Sequence, residues 1–303
     1  MKKKVLLLYG GYSSERNVSI SSKKDLKSAL ENTGYSVIEH DLTDSWKLIE
    51  TLKTEKPDVV YNGLYGNWGE DGEIQALLDM LQIPYTHSSM KTSVLGMDKY
   101  FTKFIAIENG VKVANGEKTT FSDYLKYGTS IPYPHVIKPI CEGSSVGVYI
   151  IKQKEDVEHI SYDDNSTEIL VEEYIEGREL TAMCLNGKSH VVTELISSAE
   201  FYNYQAKYTN NVTKHILPAE IPEEATLTCL KYAETMHKIL NCNTISRCDF
   251  RYNPKDGVVF LEINTNPGMT SLSLVPEQAK YIGISYKQLC DMLVKNASYR
   301  KIL

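Results

Sequence analysis

Residues 261–276 read LEINTNPGMTSLSLVP, and this stretch decides the interpretation of the chain. Glu262 and Asn264 stand two positions apart in a run with strand composition, so both side chains point to the same face of the strand. The β-rich run just upstream, TISRCDFRY, repeats this spacing with Arg247 and Asp249. Two neighbouring strands that each carry polar groups on one face predict a shared polar site.

The segment between the two runs, Asn-Pro-Lys-Asp-Gly at 253–257, favours a turn. A hairpin with Asn253 opposite Val258 places Asp249 opposite Glu262. One face then collects Arg247, Asp249, Glu262 and Asn264, whereas a slip of one residue would separate the two carboxylates. Two carboxylates and an amide oxygen suit Mg²⁺, which takes few protein ligands and shares itself with phosphates. The hairpin therefore predicts chemistry on a metal-bound nucleotide.

Composition narrows the class of protein. The chain has 303 residues, of which 42% are hydrophobic and 24% charged, as in globular proteins of two or three domains. A net charge of −6 argues against a nucleic-acid-binding surface, which is normally basic. The six cysteines form no CxxC pair, which favours free thiols in a reducing, cytoplasmic setting. No apolar run approaches ~20 residues, so no membrane span is expected.

The rhythm of the elements changes along the chain. Residues 1–95 alternate strands and helices, which predicts a parallel α/β domain; the strands are expected at 5–9, 35–41, 58–62 and 84–86, and the helices at 19–32, 46–54 and 73–81. A second domain, 96–180, opens with a helix capped by Asp98 and carries strands at 136–138, 146–151 and 169–173. A third, 181–303, carries a strand at 191–197, the hairpin, and helices at 223–240 and 286–295. The predicted fold class is α/β followed by α+β.

Two further segments have alternative readings. The glycine- and serine-rich loop 142–147, which follows Lys138, is either a phosphate cradle with a lysine at hand or a plain hairpin turn. The acidic run 172–179 is either an adenine and ribose site or a solvated edge. No Walker A sequence, G-x-S-x-G elbow or metal-spaced histidine set occurs, which argues against a P-loop enzyme, a serine hydrolase and a zinc site.

Three loops remain open in the same way. Glu15 follows the first strand, where open α/β sheets bind ligands, and it could equally begin a helix. Residues 66–72 (GNWGEDG) suit an anion site less well than a helix start. The long polar segment 200–218 is either disordered or a functional lid.

Taken in order, these segments resemble the D-alanine–D-alanine ligases of the ATP-grasp superfamily. The resemblance spans nearly the whole chain and rests on GGYSSERNVS (10–19), GEDGEIQ (69–75), MDKYFTK (97–103), KPICEGSSVGV (138–148), EEYIEGREL (172–180), EFYNYQAKY (200–208), RCDF (247–250) and LEINTNPGMTSLSLVP (261–276). It implies an N-terminal α/β domain followed by a two-lobed ATP-grasp unit that holds ATP between its lobes. It also implies a homodimer that joins two D-alanines for peptidoglycan synthesis through an acyl phosphate.

The resemblance implies a role for each motif residue. ATP would contact Lys99, Lys138, Glu142, Ser144, Ser145, Glu172, Glu173, Tyr174, Ile175, Glu179 and Lys207. Two Mg²⁺ or Mn²⁺ ions would be bound by Asp249, Glu262 and Asn264. The substrates would meet Glu15, Lys207, Arg247, Gly268, Ser273 and Leu274, and the catalytic set would comprise Glu15, Ser144, Tyr208, Arg247, Gly268 and Ser273.

Three positions depart from the family pattern. Tyr65 and Leu272 stand where histidine is common, and Asn17 stands where a glutamate is usual. A tyrosine at 65 does not titrate near neutral pH as a histidine does, so the pH profile is expected to differ. A related ligase that makes D-Ala–D-lactate or D-Ala–D-serine is the alternative within the class. A nucleotide-binding relative without catalysis is the alternative outside it, although such a protein has no need for Arg247.

Overall fold

The computed structural model describes residues 2–197, 213–270 and 273–301. Its first part is a parallel sheet, as the sequence predicts, and the order of its strands is β2-β1-β3. The strands are β1 (Lys4–Gly10), β2 (Ser36–Leu42) and β3 (Val59–Asn62), and the helices are α1 (Arg16–Thr33), α2 (Ser45–Glu55) and α3 (Glu73–Met80). The apolar run 5–8 is fully buried because the central strand of a parallel sheet is covered on both faces. The strand predicted at 84–86 is reduced to single bridges made by Tyr85.

A second, antiparallel sheet has the order β4-β7-β5-β6. This part contains α4 (Met90–Met97), α5 (Lys99–Glu108), β4 (Gly116–Thr120), α6 (Phe121–Tyr127), β5 (His135–Pro139), β6 (Tyr149–Ile151), a 3₁₀ helix (Lys154–His159) and β7 (Glu168–Glu173). Asp98 caps α5 by accepting from the Phe101 amide at 2.9 Å, as predicted. The strand predicted at 146–151 begins only at Tyr149, because the preceding residues form turns that bond Val146 N to the Gly143 carbonyl.

The third sheet has the order β11-β10-β8-β12-β13, with β9 paired to β8. Its strands are β8 (Arg178–Leu185), β9 (Lys188–Ser189), β10 (Thr193–Ser197), β11 (Thr213–Ile216), β12 (Ile245–Asn253) and β13 (Gly257–Asn264); its helices are α7 (Glu223–Ile239), α8 (Leu274–Tyr281) and α9 (Tyr286–Lys295). The expected loop 200–218 is therefore wrong for its last part, which pairs with β10 as β11. The proposed domain boundary at 180 and 181 falls inside β8.

The hairpin of β12 and β13 bears out the central expectation, with one correction. Asp249 lies opposite Glu262, and Arg247 lies opposite Asn264. At the turn, however, Asn253 pairs with Gly257 and not with Val258, because Gly257 takes a φ of +70° and closes the turn one residue earlier. A β-bulge between Asp249 and Phe250 restores the predicted register at the site.

The N-terminal sheet and the third sheet share one hydrophobic core. Residues of β1 and α1, among them Leu7 and Leu26, pack with Leu289 and Leu293 of α9. Tyr35 also donates a hydrogen bond of 2.7 Å to a carboxylate of α9. In the described part of the chain, no helix has the length and apolar character needed to cross a membrane.

His87 is buried at the edge of this shared core. Thr86 Oγ1 accepts from the backbone amide of Asn62 at 2.9 Å and lies 3.0 Å from His87 Nδ1. Burial lowers the pKa of His87 to about 3.

A pH dependence of stability follows from His87. The unfolded chain, with an ordinary histidine pKa near ~6.5, binds a proton that the folded chain rejects until about pH 3. His87 therefore contributes to the free energy of unfolding above the unfolded pKa. This contribution is lost as pH falls below that value, by up to about 1.4 kcal/mol per pH unit. We expect His87→Asn, which does not titrate and tolerates the φ of +69°, to flatten the fall in unfolding free energy between about pH 6 and about pH 5. Urea titrations at several pH values give the slope of unfolding free energy against pH for the wild type and for His87→Asn. An equal slope for both proteins would contradict the prediction.

Candidate active site

A cavity of about 470 Å³ lies between the second and third sheets. Of the residues predicted to contact nucleotide, it is lined by Lys99, Lys138, Glu142, Ser145, Glu172, Glu173, Tyr174, Ile175 and Glu179. Asp249 and Glu262 of the hairpin reach its end. Ser144 instead lines a neighbouring cavity. The structure thus brings together segments that are separated by more than a hundred residues in the chain.

Glu172 joins two lysines in the wall of this cavity. One carboxylate oxygen pairs with Lys138 and the other with Lys103. All three side chains are buried. Burial alone would raise the pKa of Glu172, but the two ammonium charges outweigh it and hold the pKa below its usual range. Burial lowers the pKa of Lys103 in turn. Lys103 was not predicted as a site residue, although it lies one helical turn after Lys99 in the MDKYFTK motif.

The loop 142–147 has the backbone of a tight cradle. Ser144 and Ser145 take φ values of +51° and +58°, which non-glycine residues rarely adopt. Lys99 Nζ donates to the Glu142 carbonyl, and Asn67 Nδ2 donates to Glu142 Oε1 at 3.0 Å. These contacts anchor the loop to α5 and to the loop that follows β3. Strained backbone that is held from both sides is typical of a site that binds ligands.

A second, smaller cavity of about 60 Å³ adjoins the first. Its lining comprises Glu15, Tyr65, Glu70, Gly96, Met97, Lys99, Glu142, Gly143, Ser144, Arg247, Glu262, Ile263, Asn264, Thr265 and Gly268. Three residues, Lys99, Glu142 and Glu262, line both cavities. A ligand in the large cavity and one in the small cavity would therefore meet at these three side chains.

The predicted polar face of the hairpin is built as a network of paired groups. Arg247 donates to both oxygens of Asp249, from Nε at 2.9 Å and Nη2 at 2.8 Å. Thr181 Oγ1 donates to the same carboxylate at 2.6 Å. Glu262 Oε2 lies 3.6 Å from Lys99 Nζ. The carboxylates therefore face the two cavities with cations already beside them.

The donor set fits a magnesium ion that is shared with a ligand. In the ranges that the structure describes, no three His, Cys, Asp or Glu side chains are grouped to hold a metal ion by themselves. Asp249, Glu262 and Asn264 offer two carboxylates and one amide oxygen on a single face. Mg²⁺ is commonly bound by one or two carboxylates together with substrate phosphates, so this set is chemically suitable but incomplete without a phosphate.

Two acidic side chains are buried on the N-terminal side of the small cavity. Glu15 and Glu70 are 6% and 8% exposed. Burial, with a smaller contribution from the charge of Glu15, raises the pKa of Glu70 to about 8. Glu70 Oε2 accepts from Asn264 Nδ2 at 3.3 Å. The segment 66–72 thus serves the cavity as well as the start of α3, and Glu70 is a site residue that its motif alone did not identify.

Tyr65 and Ser273 fix the loop that follows the hairpin. Tyr65 Oη accepts from the Met269 amide at 3.0 Å, and burial raises the pKa of Tyr65 to about 12. Ser273 Oγ accepts from the Thr270 amide at 2.9 Å and lies 3.1 Å from the position that a Cβ on Gly268 would occupy. Leu274 is buried in the first turn of α8. Tyr65 is therefore a neutral structural donor and acceptor.

Some predicted residues lie outside the described part of the chain. These are Lys207, Tyr208 and Leu272, together with the segment 200–212 of the expected lid. Asn17 lies in the first turn of α1, next to Glu15 and Arg16.

Comparison with known proteins agrees with this geometry. The family model described as "D-ala D-ala ligase C-terminus" matches residues 102–295, which is more than half of the chain. A D-alanine–D-alanine ligase of Gluconobacter oxydans is 44% identical over 303 residues, covering 98% of this chain and 100% of the relative.

Solved structures extend the likeness to three dimensions. The D-alanine–D-alanine ligase from Bacillus anthracis complexed with ATP superposes with a TM-score of 0.82 at 31% identity, covering 98% of this chain and 97% of that chain. The VanG D-Ala:D-Ser ligase from Enterococcus faecalis superposes with a TM-score of 0.80 at 26% identity, covering 97% and 99%. The D-alanine–D-alanine ligases are ATP-grasp enzymes. The full-length match, with which the two adjoining cavities and the carboxylate hairpin agree, shows that this chain belongs to their family.

Proposed function

We propose that this chain is a cytoplasmic enzyme that joins two D-alanines at the expense of ATP and supplies the dipeptide for peptidoglycan. One observation carries the proposal: the large and small cavities meet at Lys99, Glu142 and Glu262. A nucleotide in the first and an amino acid in the second would therefore bring a phosphate and a carboxylate to the same point. Residues 1–95 would serve the substrate, and 96–180 and 181–303 would form the two ATP-grasp lobes.

The first chemical step needs charge neutralisation. A carboxylate resists attack by an amine because oxide is not a leaving group, and phosphorylation by ATP converts it to an acyl phosphate. Lys99 and Lys138 line the cavity and would neutralise phosphate charge, while amides of the loop 142–147 would position the oxygens. Mg²⁺ held by Asp249, Glu262 and Asn264 would act as a Lewis acid towards the phosphates.

The first substrate would lie beside the N-terminal domain. Buried Glu15 would accept hydrogen bonds from its ammonium group, next to Ser144 in the small cavity. Tyr208 is proposed to complete this hydrogen-bonded set, and Lys207 to lie beside it. Both assignments rest on the EFYNYQAKY motif alone.

The second step is attack by the amine of the other D-alanine. Arg247 and the Gly268 amide both line the small cavity, where they would stabilise the developing oxyanion. Ser273 stands at the N-cap position of α8 and makes no side-chain hydrogen bond to its first turn, so the amides of that turn, including that of Leu274, would receive the carboxylate of the second substrate. A homodimer is proposed from the family, and light scattering would test it.

The activity has a direct test. We expect purified protein to release ADP from ATP with D-alanine as the sole amino acid and Mg²⁺ present, and to form D-alanyl-D-alanine. The likeness to VanG makes D-serine the second acceptor to try. Equal or faster mixed-product formation with D-serine or D-lactate would reassign the second substrate. Nucleotide binding without ADP release under any of these conditions would contradict a catalytic role.

A further inference from the structure

Arg251 lines the large cavity and contacts three groups of its wall. It belongs to none of the family motifs described above. Its Nε donates to the Ile175 carbonyl at 3.1 Å, and its Nη1 lies 3.4 Å from Glu179 Oε2. The guanidinium carbon lies 5.9 Å from the centre of the Tyr174 ring. A single side chain of β12 thus contacts a backbone carbonyl and an aromatic ring of the connection between β7 and β8, and a carboxylate of β8 itself.

That connection is pressed against β12 along its length. Asn253 Nδ2 donates to the Glu176 carbonyl at 2.7 Å. Gly177 takes a φ of +128°, and a Cβ there would lie 2.2 Å from the Tyr252 carbonyl oxygen, so no side chain fits. Two successive carbonyls, those of Ile175 and Glu176, are therefore turned towards β12 and held by its side chains.

The chemistry of the guanidinium explains why an arginine suits this position. Guanidinium is planar, always charged and donates only, so it fixes a carbonyl and a carboxylate at a set separation. Arg251 and Glu179 are both about one fifth exposed, with side-chain exposures of 21% and 22%. Their pairing is shielded from water more than a surface ion pair is. Glu179 and Arg251 both line the large cavity, so Arg251 holds the carboxylate at the cavity wall.

We propose that Arg251 is a positioning residue that sets the selectivity of the cavity for a ribonucleotide. Acting through Glu179, it aims a carboxylate at the ribose hydroxyls, and through Ile175 it fixes the backbone against which the base lies. The inference deepens the proposed function and rests on it, because it takes the large cavity to be the ATP site.

The experiment compares ATP with 2′-deoxyATP in steady-state kinetics. We expect the full-length enzyme to prefer ATP, and Arg251→Met to raise KM for ATP about tenfold while lowering kcat much less. The ratio of kcat/KM for the two nucleotides should fall towards one. Glu179→Gln should reduce the same ratio, and the double variant should add little to either single variant, because Arg251 acts through Glu179.

Asn253→Ala is the matched control. It frees the Glu176 carbonyl without touching Glu179, so it should change KM for both nucleotides alike and preserve their ratio. Arg251→Lys keeps the charge but cannot bridge two acceptors in one plane, so it should also lose part of the preference, and it serves if the methionine variant does not fold.

Several results would overturn the proposal. These are a wild-type enzyme with no preference between the nucleotides, an unchanged ratio in the Arg251→Met or Arg251→Lys variant, or fully additive losses in the double variant. Failure of the proposed function is distinguishable, since the wild-type enzyme would then release no ADP with D-alanine.

Discussion

Glu262→Gln is expected to reduce turnover at saturating ATP and D-alanine by at least about 10²-fold. Glu262 borders both cavities and lies opposite Asp249, so it is the side chain best placed to hold a metal ion between phosphate and protein. Such an ion stabilises transition-state charge by several kcal/mol, and each ~1.4 kcal/mol is tenfold in rate. The glutamine side chain has the same shape as glutamate and keeps one oxygen that can bind a metal ion. The loss of turnover therefore measures the effect of the carboxylate charge.

The measurement is ADP release titrated with Mg²⁺. The variant should need far more Mg²⁺ and should not recover the wild-type kcat. Glu108→Gln, an exposed carboxylate at the end of α5, is the control and should behave as wild type. Near-normal activity of Glu262→Gln at ordinary Mg²⁺ concentrations would remove Glu262 from the metal site.

Arg247→Lys is expected to lower kcat for dipeptide formation by about 10²–10³-fold, the usual cost of losing one donor to an oxyanion. Arg247 donates through two nitrogens to Asp249, which fixes its guanidinium at the edge of the small cavity. A lysine retains the charge but cannot hold that orientation. KM for ATP should change little, because the oxyanion develops only after the phosphoryl transfer.

The two chemical steps can be separated. Hydroxylamine traps an acyl phosphate as a hydroxamate, so Arg247→Lys should still give hydroxamate from ATP and D-alanine while it forms little dipeptide. Equal losses of hydroxamate and dipeptide would show that Arg247 acts on the whole site through Asp249 and has no special part in the second step.

The sequence predicts the polar face of the hairpin and the N-terminal layer from local patterns. The hairpin can be predicted because strand periodicity places Asp249 and Glu262 on one face whatever the order of strands in the sheet. The N-terminal layer can be predicted because Val5–Tyr9 is a continuous apolar run, which is typical of a buried parallel strand. These local patterns need no knowledge of distant contacts.

What the sequence misses depends on contacts between distant segments. Glu70 and Lys103 resemble ordinary surface charges in their own segments, and only the fold buries them beside Glu15 and Glu172. Strand β11 is short and polar, so its pairing with β10 leaves no local signal. The predicted register at the turn is wrong because the amino-acid composition of the two strands does not indicate the β-bulge.

The bulge in the hairpin has a consequence for how this gene can change. The extra residue at the centre of the ladder separates the pairing at the turn from the pairing at the polar face. An insertion or deletion near residues 253–257 can therefore be absorbed by losing or moving the bulge, so that the carboxylates stay on their shared side. Variation in length between related genes should then collect at that turn and stop before Asp249.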